Sequence, residues 1–211
     1  MVEVFAAKKA LRRTMKAVLS ALPPAQVSSE SARVAQRLLA RDDWRAATKV
    51  AAFCSMPGEF DTKPILEAAF AARKRVFLPR VENIKKREMV LVEAFSMADV
   101  KDFPRSNWGI PEPPRGEARP DALEALVDLV VVPGVAFDGE GGRLGHGAGF
   151  YDNWIARADA AAAAAAAARP ATVGVCLAAQ VLPASESVPR EAHDRVLDAV
   201  LAPDDEGVHK Q

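Results

Sequence analysis

The stretch Asp128-Leu-Val-Val-Val-Pro-Gly-Val-Ala-Phe-Asp-Gly-Glu-Gly-Gly-Arg-Leu-Gly-His-Gly-Ala-Gly-Phe-Tyr-Asp152 decides how this sequence reads. Asp128 to Pro133 is an unbroken aliphatic run, the pattern of a strand covered on both faces. Glycines follow at 139, 141, 142, 145, 147 and 149, and a helical pattern then runs from about Phe150 to Ala168. In a strand, glycine loop and helix arrangement the backbone can approach an anion closely, and the first N–H groups of the helix point at it. Arg143 adds a fork of donors suited to phosphate oxygens. Asp152 offers a hard oxygen for Mg²⁺. The spacing is neither G-x-G-x-x-G nor G-x-x-x-x-G-K-[ST], so two familiar nucleotide loops are excluded. On the residues alone, a flexible turn remains the competing reading.

Outward from that stretch, short apolar runs alternate with helical patterns. Lys49–Ser55, Arg75–Pro79, Met89–Phe95, Thr172–Leu177 and Arg195–Leu201 read as further strands. The first 22 residues read as an amphipathic helix with Leu11, Met15, Val18 and Leu22 on one face, stopped by Pro23-Pro24. Lys8, Arg12 and Lys16 stack on another face, in the ordinary pattern of a solvated surface. Ser28 or Ser29 is the expected cap of a second helix reaching about Arg41, and residues 63–73 and Leu123–Val127 are the next helical segments. Ala160–Ala168 reads as a plain surface helix. The alternation predicts one α/β domain over residues 1–211, a largely parallel central sheet with helices on both faces.

Half of the 211 residues are hydrophobic, enough for a sizeable core, and 28 Lys plus Arg balance 28 Asp plus Glu. That balance gives no reason to expect nucleic acid or an anionic membrane as partner. Cys54 and Cys176 sit in apolar runs without metal-ligand spacing and read as free thiols of a reducing compartment. The charged N-terminus has no apolar core segment, and the one long apolar stretch is mostly alanine. The expectation from these features is a cytoplasmic protein with no membrane span. A monomer acting on a small-molecule substrate is the further expectation, which these features do not themselves give.

Arg143-Leu-Gly-His-Gly-Ala-Gly-Phe-Tyr-Asp152 resembles the signature of the 5-formyltetrahydrofolate cyclo-ligase family, close to R-L-G-x-G-x-G-[YF]-Y-D. Four more motifs match in order. Lys8, Lys9, Leu11 and Arg12 match a basic helix of the form K-x-x-L-R. Glu59-Phe60-Asp61-Thr62 matches an acidic turn after a strand, and Gly109–Pro113 matches G-I-P-E-P. Gln180, with Val188-Pro189 through Asp194, matches the last. Any one motif is weak, but five in order from Lys8 to Asp194 are specific. Within that pattern His146, Ala148 and Phe150 are departures from the commoner residues of the family, Ala148 standing where a Gly or Lys is usual and Phe150 where the first Tyr of a Tyr-Tyr pair is.

The resemblance implies a fold of the NagB/RpiA/CoA-transferase type. It also implies the ATP- and Mg²⁺-dependent cyclisation of 5-formyltetrahydrofolate to 5,10-methenyltetrahydrofolate, with release of ADP and phosphate, through a phosphorylated formyl intermediate. Arg143 and Tyr151 would be catalytic. Lys8, Lys9, Arg12, Arg143, Gly145, His146, Gly147, Ala148, Gly149, Phe150 and Tyr151 would hold ATP. Cys54, Met56, Glu59, Trp108, His146 and Phe150 would hold the folate. Asp152 and Asp194 would hold the metal. The alternative is a phosphorylated-sugar or nucleotide-binding protein of the same fold without cyclo-ligase activity.

Overall fold

The computed structural model describes residues 2–56, 58–106 and 109–204. Trp108 therefore lies outside the described residues. In chain order the elements are α1 (Val2–Ser20), α2 (Pro24–Ala40), α3 (Asp42–Ala46), β1 (Lys49–Ala51), α4 (Lys63–Ala71), β2 (Arg75–Asn83) and β3 (Glu88–Ala94). Then follow α5 (Met97–Asp102), α6 (Ala122–Ala125), β4 (Leu129–Val132), β5 (Ala136–Phe137), β6 (Arg143–Leu144), α7 (Phe150–Ala164), β7 (Ala171–Val175) and β8 (Ala199–Leu201).

The aliphatic run of β4 is buried at every position because its alternate side chains enter two cores. Leu129 and Val131 join Val34 and Leu38 of α2 and Ile65 of α4 on one face. Val130 and Val132 join Trp154, Ile155 and Ala158 of α7 on the other. A strand between two helical layers can be apolar throughout, which is why the sequence shows no alternation there. The six strands lie in the order β3-β2-β1-β4-β7-β8. All neighbours are parallel except β2 and β3, which form an antiparallel hairpin at one edge. The predicted largely parallel α/β sheet is what forms.

Two aspartates tie the amino ends of the strands. Asp128 Oδ2 accepts from the backbone N–H groups of Thr48 and Lys49 at 2.8 and 2.9 Å, joining the starts of β1 and β4. Asp198 Oδ2 accepts from Thr172 N–H at 2.8 Å and so joins β8 to β7. Burial raises both carboxyls, but these hydrogen bonds and the nearby cations outweigh it and hold both below their ordinary value. The chain leaves β1 toward β2 on one side and returns to β4 on the other. The carboxyl ends of β1 and β4 thus flank a topological switch point, where ligands of open α/β sheets bind.

Several sequence expectations are corrected. The second helix starts at Pro24, not at Ser28 or Ser29, because proline is pre-organised for a first turn. Of the run 49–55 only Lys49–Ala51 is strand; Ala52 N–H still donates to Phe77 O at 2.9 Å, and the chain leaves the sheet beyond it. On α1 Met15 is buried with Leu11 and Leu19 partly buried beside it, and Leu22, just past the helix, packs against the core as well. Val18 faces outward. The alanine-rich helix ends at Ala164, and Ala166 turns the chain at φ 52°.

Candidate active site

The glycine-rich stretch is built rather than loose. Within it β5 and β6 pair antiparallel, and Asp138 pins the turn between them. Its buried carboxylate accepts from Glu140 N–H at 2.9 Å, Gly142 N–H at 2.7 Å and Val188 N–H at 2.8 Å. Gly141 stands at φ 82°, and a side chain there would meet Leu197 O at 2.5 Å, so only glycine fits. Beneath the hairpin, Gln180 donates to Gly134 O and accepts from Leu177 N–H at 2.8 Å. This family-motif glutamine is a brace for the loop. Gly147 and Gly149 then turn the chain with φ 109° and 70° into α7.

Arg143 does not lie on the loop as a free fork. It sits on β6 with its side chain only 4% exposed. Nη2 donates to Asp152 Oδ2 at 2.8 Å and Nη1 to Pro133 O at 3.2 Å, while Nε has no partner among the described residues. The Tyr151 ring lies 5.8 Å from the guanidinium, and its buried hydroxyl is likewise unpartnered among the described residues. Burial pushes the Tyr151 phenol well above its ordinary value and outweighs the charge of Arg143, so the hydroxyl stays neutral and able to donate. Two buried donors without acceptors beside one glycine loop call for an acceptor-rich ligand.

Helix α1 crosses the loop with its basic stripe. Arg12 Nε donates to Gly145 O at 2.8 Å, and its guanidinium lies against Gly147. Burial lowers the Arg12 value against the raising effect of Asp194. Lys8 is buried and donates to Asp194 Oδ2 at 2.5 Å and Glu191 Oε2 at 3.3 Å. Burial raises the Asp194 carboxyl, but the Lys8 hydrogen bond, the Glu191 N–H and the charges of Lys8 and His193 hold it below its ordinary value.

These groups line one cavity of about 510 Å³, within the usual range for a small-molecule site. Lys8, Arg12, Arg143 and Gly145 to Asp152 form one wall. Cys54, Met56 and Glu59, after β1, form another. Glu59 joins the two. Its Oε2 accepts from Met56 N–H at 3.1 Å, and its Oε1 lies 2.8 Å from His146 Nε2. Burial raises Cys54 to about 11, against the lowering charge of Arg105, so it lines the wall as a neutral thiol. Lys9 is exposed on α1 and is not among the residues that line the cavity. The other described residues expected to hold nucleotide, folate or metal come together there.

Asp152 and Asp194 fit a metal only with outside ligands. Asp152 Oδ1 accepts from the N–H of Arg195 at 3.1 Å, which ties Asp152 to the peptide that follows Asp194. Each already has an oxygen in an ion pair. No group of three or more His, Cys, Asp or Glu side chains is arranged for a metal among the described residues. That suits Mg²⁺, which is usually held by one or two carboxylates plus substrate phosphates, and would not suit a resident all-protein cage.

The sequence profile of the 5-formyltetrahydrofolate cyclo-ligase family matches residues 4–203. The chain belongs to the 5-formyltetrahydrofolate cyclo-ligase family. Mouse 5-formyltetrahydrofolate cyclo-ligase is 30% identical over 204 residues, covering 96% of this chain and 97% of the mouse protein. A probable 5-formyltetrahydrofolate cyclo-ligase of Schizosaccharomyces pombe is 32% identical over 200 residues, covering 93% and 95%. The solved 5,10-methenyltetrahydrofolate synthetase of Aquifex aeolicus superposes with a TM-score of 0.72 at 31% identity, over 92% of this chain and 88% of that one.

Within this cyclo-ligase family frame, sequence reasoning missed several lining residues. Phe5, Arg87, Ile110 and Glu191 also face the cavity. Arg87 comes from the β2–β3 turn, where only the run Lys85-Lys86-Arg87 marks it. Asp138 was legible as the turn Asp138-Gly139, a hairpin signal inside the glycine run.

Proposed function

We propose that this protein cyclises 5-formyltetrahydrofolate to 5,10-methenyltetrahydrofolate at the expense of ATP, which leaves as ADP and phosphate. One observation carries the reading: the anion loop and the carboxylate Glu59 line the same cavity and are joined through His146. The names borne by the similar proteins point to the same chemistry.

The formamide oxygen is a poor leaving group until it is phosphorylated. Its attack on the terminal phosphorus of ATP breaks the bond to ADP. The folate's position-10 amine then adds to the activated formyl carbon and loses its proton. The C–O bond breaks, phosphate departs with the former formyl oxygen, and the ring closes. Positioning and charge stabilisation dominate such a transfer. Arg12 and the N–H groups around Gly145 to Gly149 would cradle phosphate oxygens. Arg143 Nε and the neutral Tyr151 hydroxyl would donate to the group in flight. Asp152 and Asp194 would share Mg²⁺ with the phosphates, and the cation would neutralise charge developing on them.

Glu59 would accept the adjacent N–H and NH₂ donors of the pterin, a pairing suited to one carboxylate. His146 would yield its bond to Glu59 as the pterin enters. Cys54 and Met56 supply apolar wall. No helix among the described residues is long and apolar enough to cross a membrane. The cytoplasm, where the free thiols Cys54 and Cys176 would stay reduced, is the proposed place of action.

The test is the absorbance of the methenyl product when the purified protein meets 5-formyltetrahydrofolate, Mg²⁺ and ATP. Product should appear only with all three present. Nucleotide binding without product would favour the non-cyclising alternative, a binder of phosphorylated sugars or nucleotides.

A further inference from the structure

Among the described residues four Lys or Arg side chains line the cavity, and three are committed to protein partners. Lys8 is held by Asp194 and Glu191, Arg143 by Asp152, and Arg12 by Gly145 O. The Arg87 side chain makes no hydrogen bond or ion pair with any described residue, yet it faces the cavity. It reaches there from the β2–β3 turn, with its own backbone at φ 55°, a conformation unusual for a side-chain-bearing residue. A methyl group built on Gly149 would stand 3.8 Å from Arg87 Nη1. Gly149 caps α7, whose free N–H groups carry the positive end of the helix dipole. An unpaired guanidinium beside that end faces a like partial charge, a placement that favours an anion between them.

We propose that Arg87 is a binding residue for the phosphate chain of the nucleotide, standing beside the glycine loop where α7 begins. The inference rests on the proposed cyclo-ligase reading and extends it to a residue outside every motif of the sequence. Ala148, next to Gly149, brings no charge of its own to that spot, so the cation arrives from the hairpin instead. Arginine suits the task because its planar fork takes two phosphate oxygens at once. The ligand is phosphate rather than a carboxylate of the folate, because Arg87 lies against Gly149 at the start of α7, within the proposed phosphate loop.

The experiment compares wild type with Arg87→Ala, Arg87→Lys and Lys86→Ala. Lys86 is exposed, carries the same charge and does not line the cavity, so it controls for the general field of the hairpin. Readouts are KM for ATP and for 5-formyltetrahydrofolate, and direct calorimetric binding of Mg·ATP without folate. Arg87→Ala should raise KM and Kd for ATP about 10-fold or more, the usual loss for a charge-assisted hydrogen bond, and leave the folate KM within about twofold. Arg87→Lys should recover part of that loss, and Lys86→Ala should match wild type. An unchanged ATP affinity in Arg87→Ala, a larger shift in the folate KM, or an equal loss in Lys86→Ala would each overturn the assignment. If wild type itself forms no methenyl product, the cyclo-ligase reading fails, whereas the calorimetric arm still judges Arg87.

Discussion

Replacing Arg143 by methionine separates what this guanidinium does for the fold from its proposed part in the reaction. The Arg143–Asp152 pair is only 4% and 16% exposed at its two side chains, with Nη2 and Oδ2 2.8 Å apart. Arg143→Met keeps the hydrophobic bulk but leaves the Asp152 carboxylate with a single hydrogen bond, from Arg195 N–H. Removing one partner of a buried pair costs about 3–5 kcal/mol. Asp152 borders an open cavity that water can enter, so we place the cost near the lower bound, at about 2–3 kcal/mol. For a chain of this size that corresponds to a fall in Tm of roughly 4–12 °C. Neutralising the orphan should recover most of it, so the double variant Arg143→Met, Asp152→Asn is expected within about 1 kcal/mol of wild type. Activity should not follow. Losing a preorganised donor to a transferring phosphoryl group costs about 2.7–4 kcal/mol in the barrier, so kcat/KM should stay down on the order of 10²-fold or more in both variants. Circular dichroism melts and steady-state kinetics on the three proteins decide it. A single variant as stable as wild type would refute the ion-pair argument. A double variant with restored activity would remove Arg143 from the chemistry.

Other outcomes follow from the same geometry. Tyr151 is the only tyrosine in the chain, so tyrosinate absorbance reports it alone. Because its folded value lies above the ordinary one near 10, its contribution to stability is complete below about pH 10 and is lost as pH rises further. Absorbance that rises with a midpoint near 10 while near-ultraviolet dichroism stays native would contradict its burial. Cys54, raised to about 11, should alkylate at pH 8 on the order of 10²-fold more slowly than a free thiol, and ATP with folate should slow it further. Mass spectrometry of iodoacetamide-treated protein checks this, and a rate equal to free cysteine would place the thiol outside the wall. Glu59→Gln should raise KM for the folate by about 10-fold or more, since a hydrogen bond to a charged group contributes about 1.5–3 kcal/mol, and should leave KM for ATP nearly unchanged. Equal shifts in both constants would mean that Glu59 serves to order its loop rather than to bind the pterin.

Much of this was legible in the sequence, for identifiable reasons. The aliphatic run of β4 predicted a strand between two layers because burial on both faces removes alternation. Glycine 149 marked the start of α7 because its φ of 70° excludes most side chains. Pairing and partnership were less legible. The apolar runs themselves do not tell that β3 runs antiparallel to β2; the only signal is the short connection, residues 80–88, too short for a helical crossover. The basic stripe of α1 read equally well as solvated surface. Only the fold shows that Lys8 is buried against Asp194 while Lys9, one residue on, is exposed. Arg143 is the sharpest case. As a sequence letter it is a free phosphate fork, and in the structure two of its nitrogens are already bound. Contacts between residues far apart in the chain, such as Glu59 with His146, carry no signal in one sequence read without its fold.

The central claim is that ATP activates the formyl oxygen itself, so the most direct measurement follows that atom. 5-Formyltetrahydrofolate labelled with oxygen-18 in the formyl group is converted with ATP and Mg²⁺, and the released inorganic phosphate is analysed by mass spectrometry. The account predicts one labelled oxygen in each phosphate formed, matched one-to-one with methenyl product. Label recovered in water, with unlabelled phosphate or none, would contradict it.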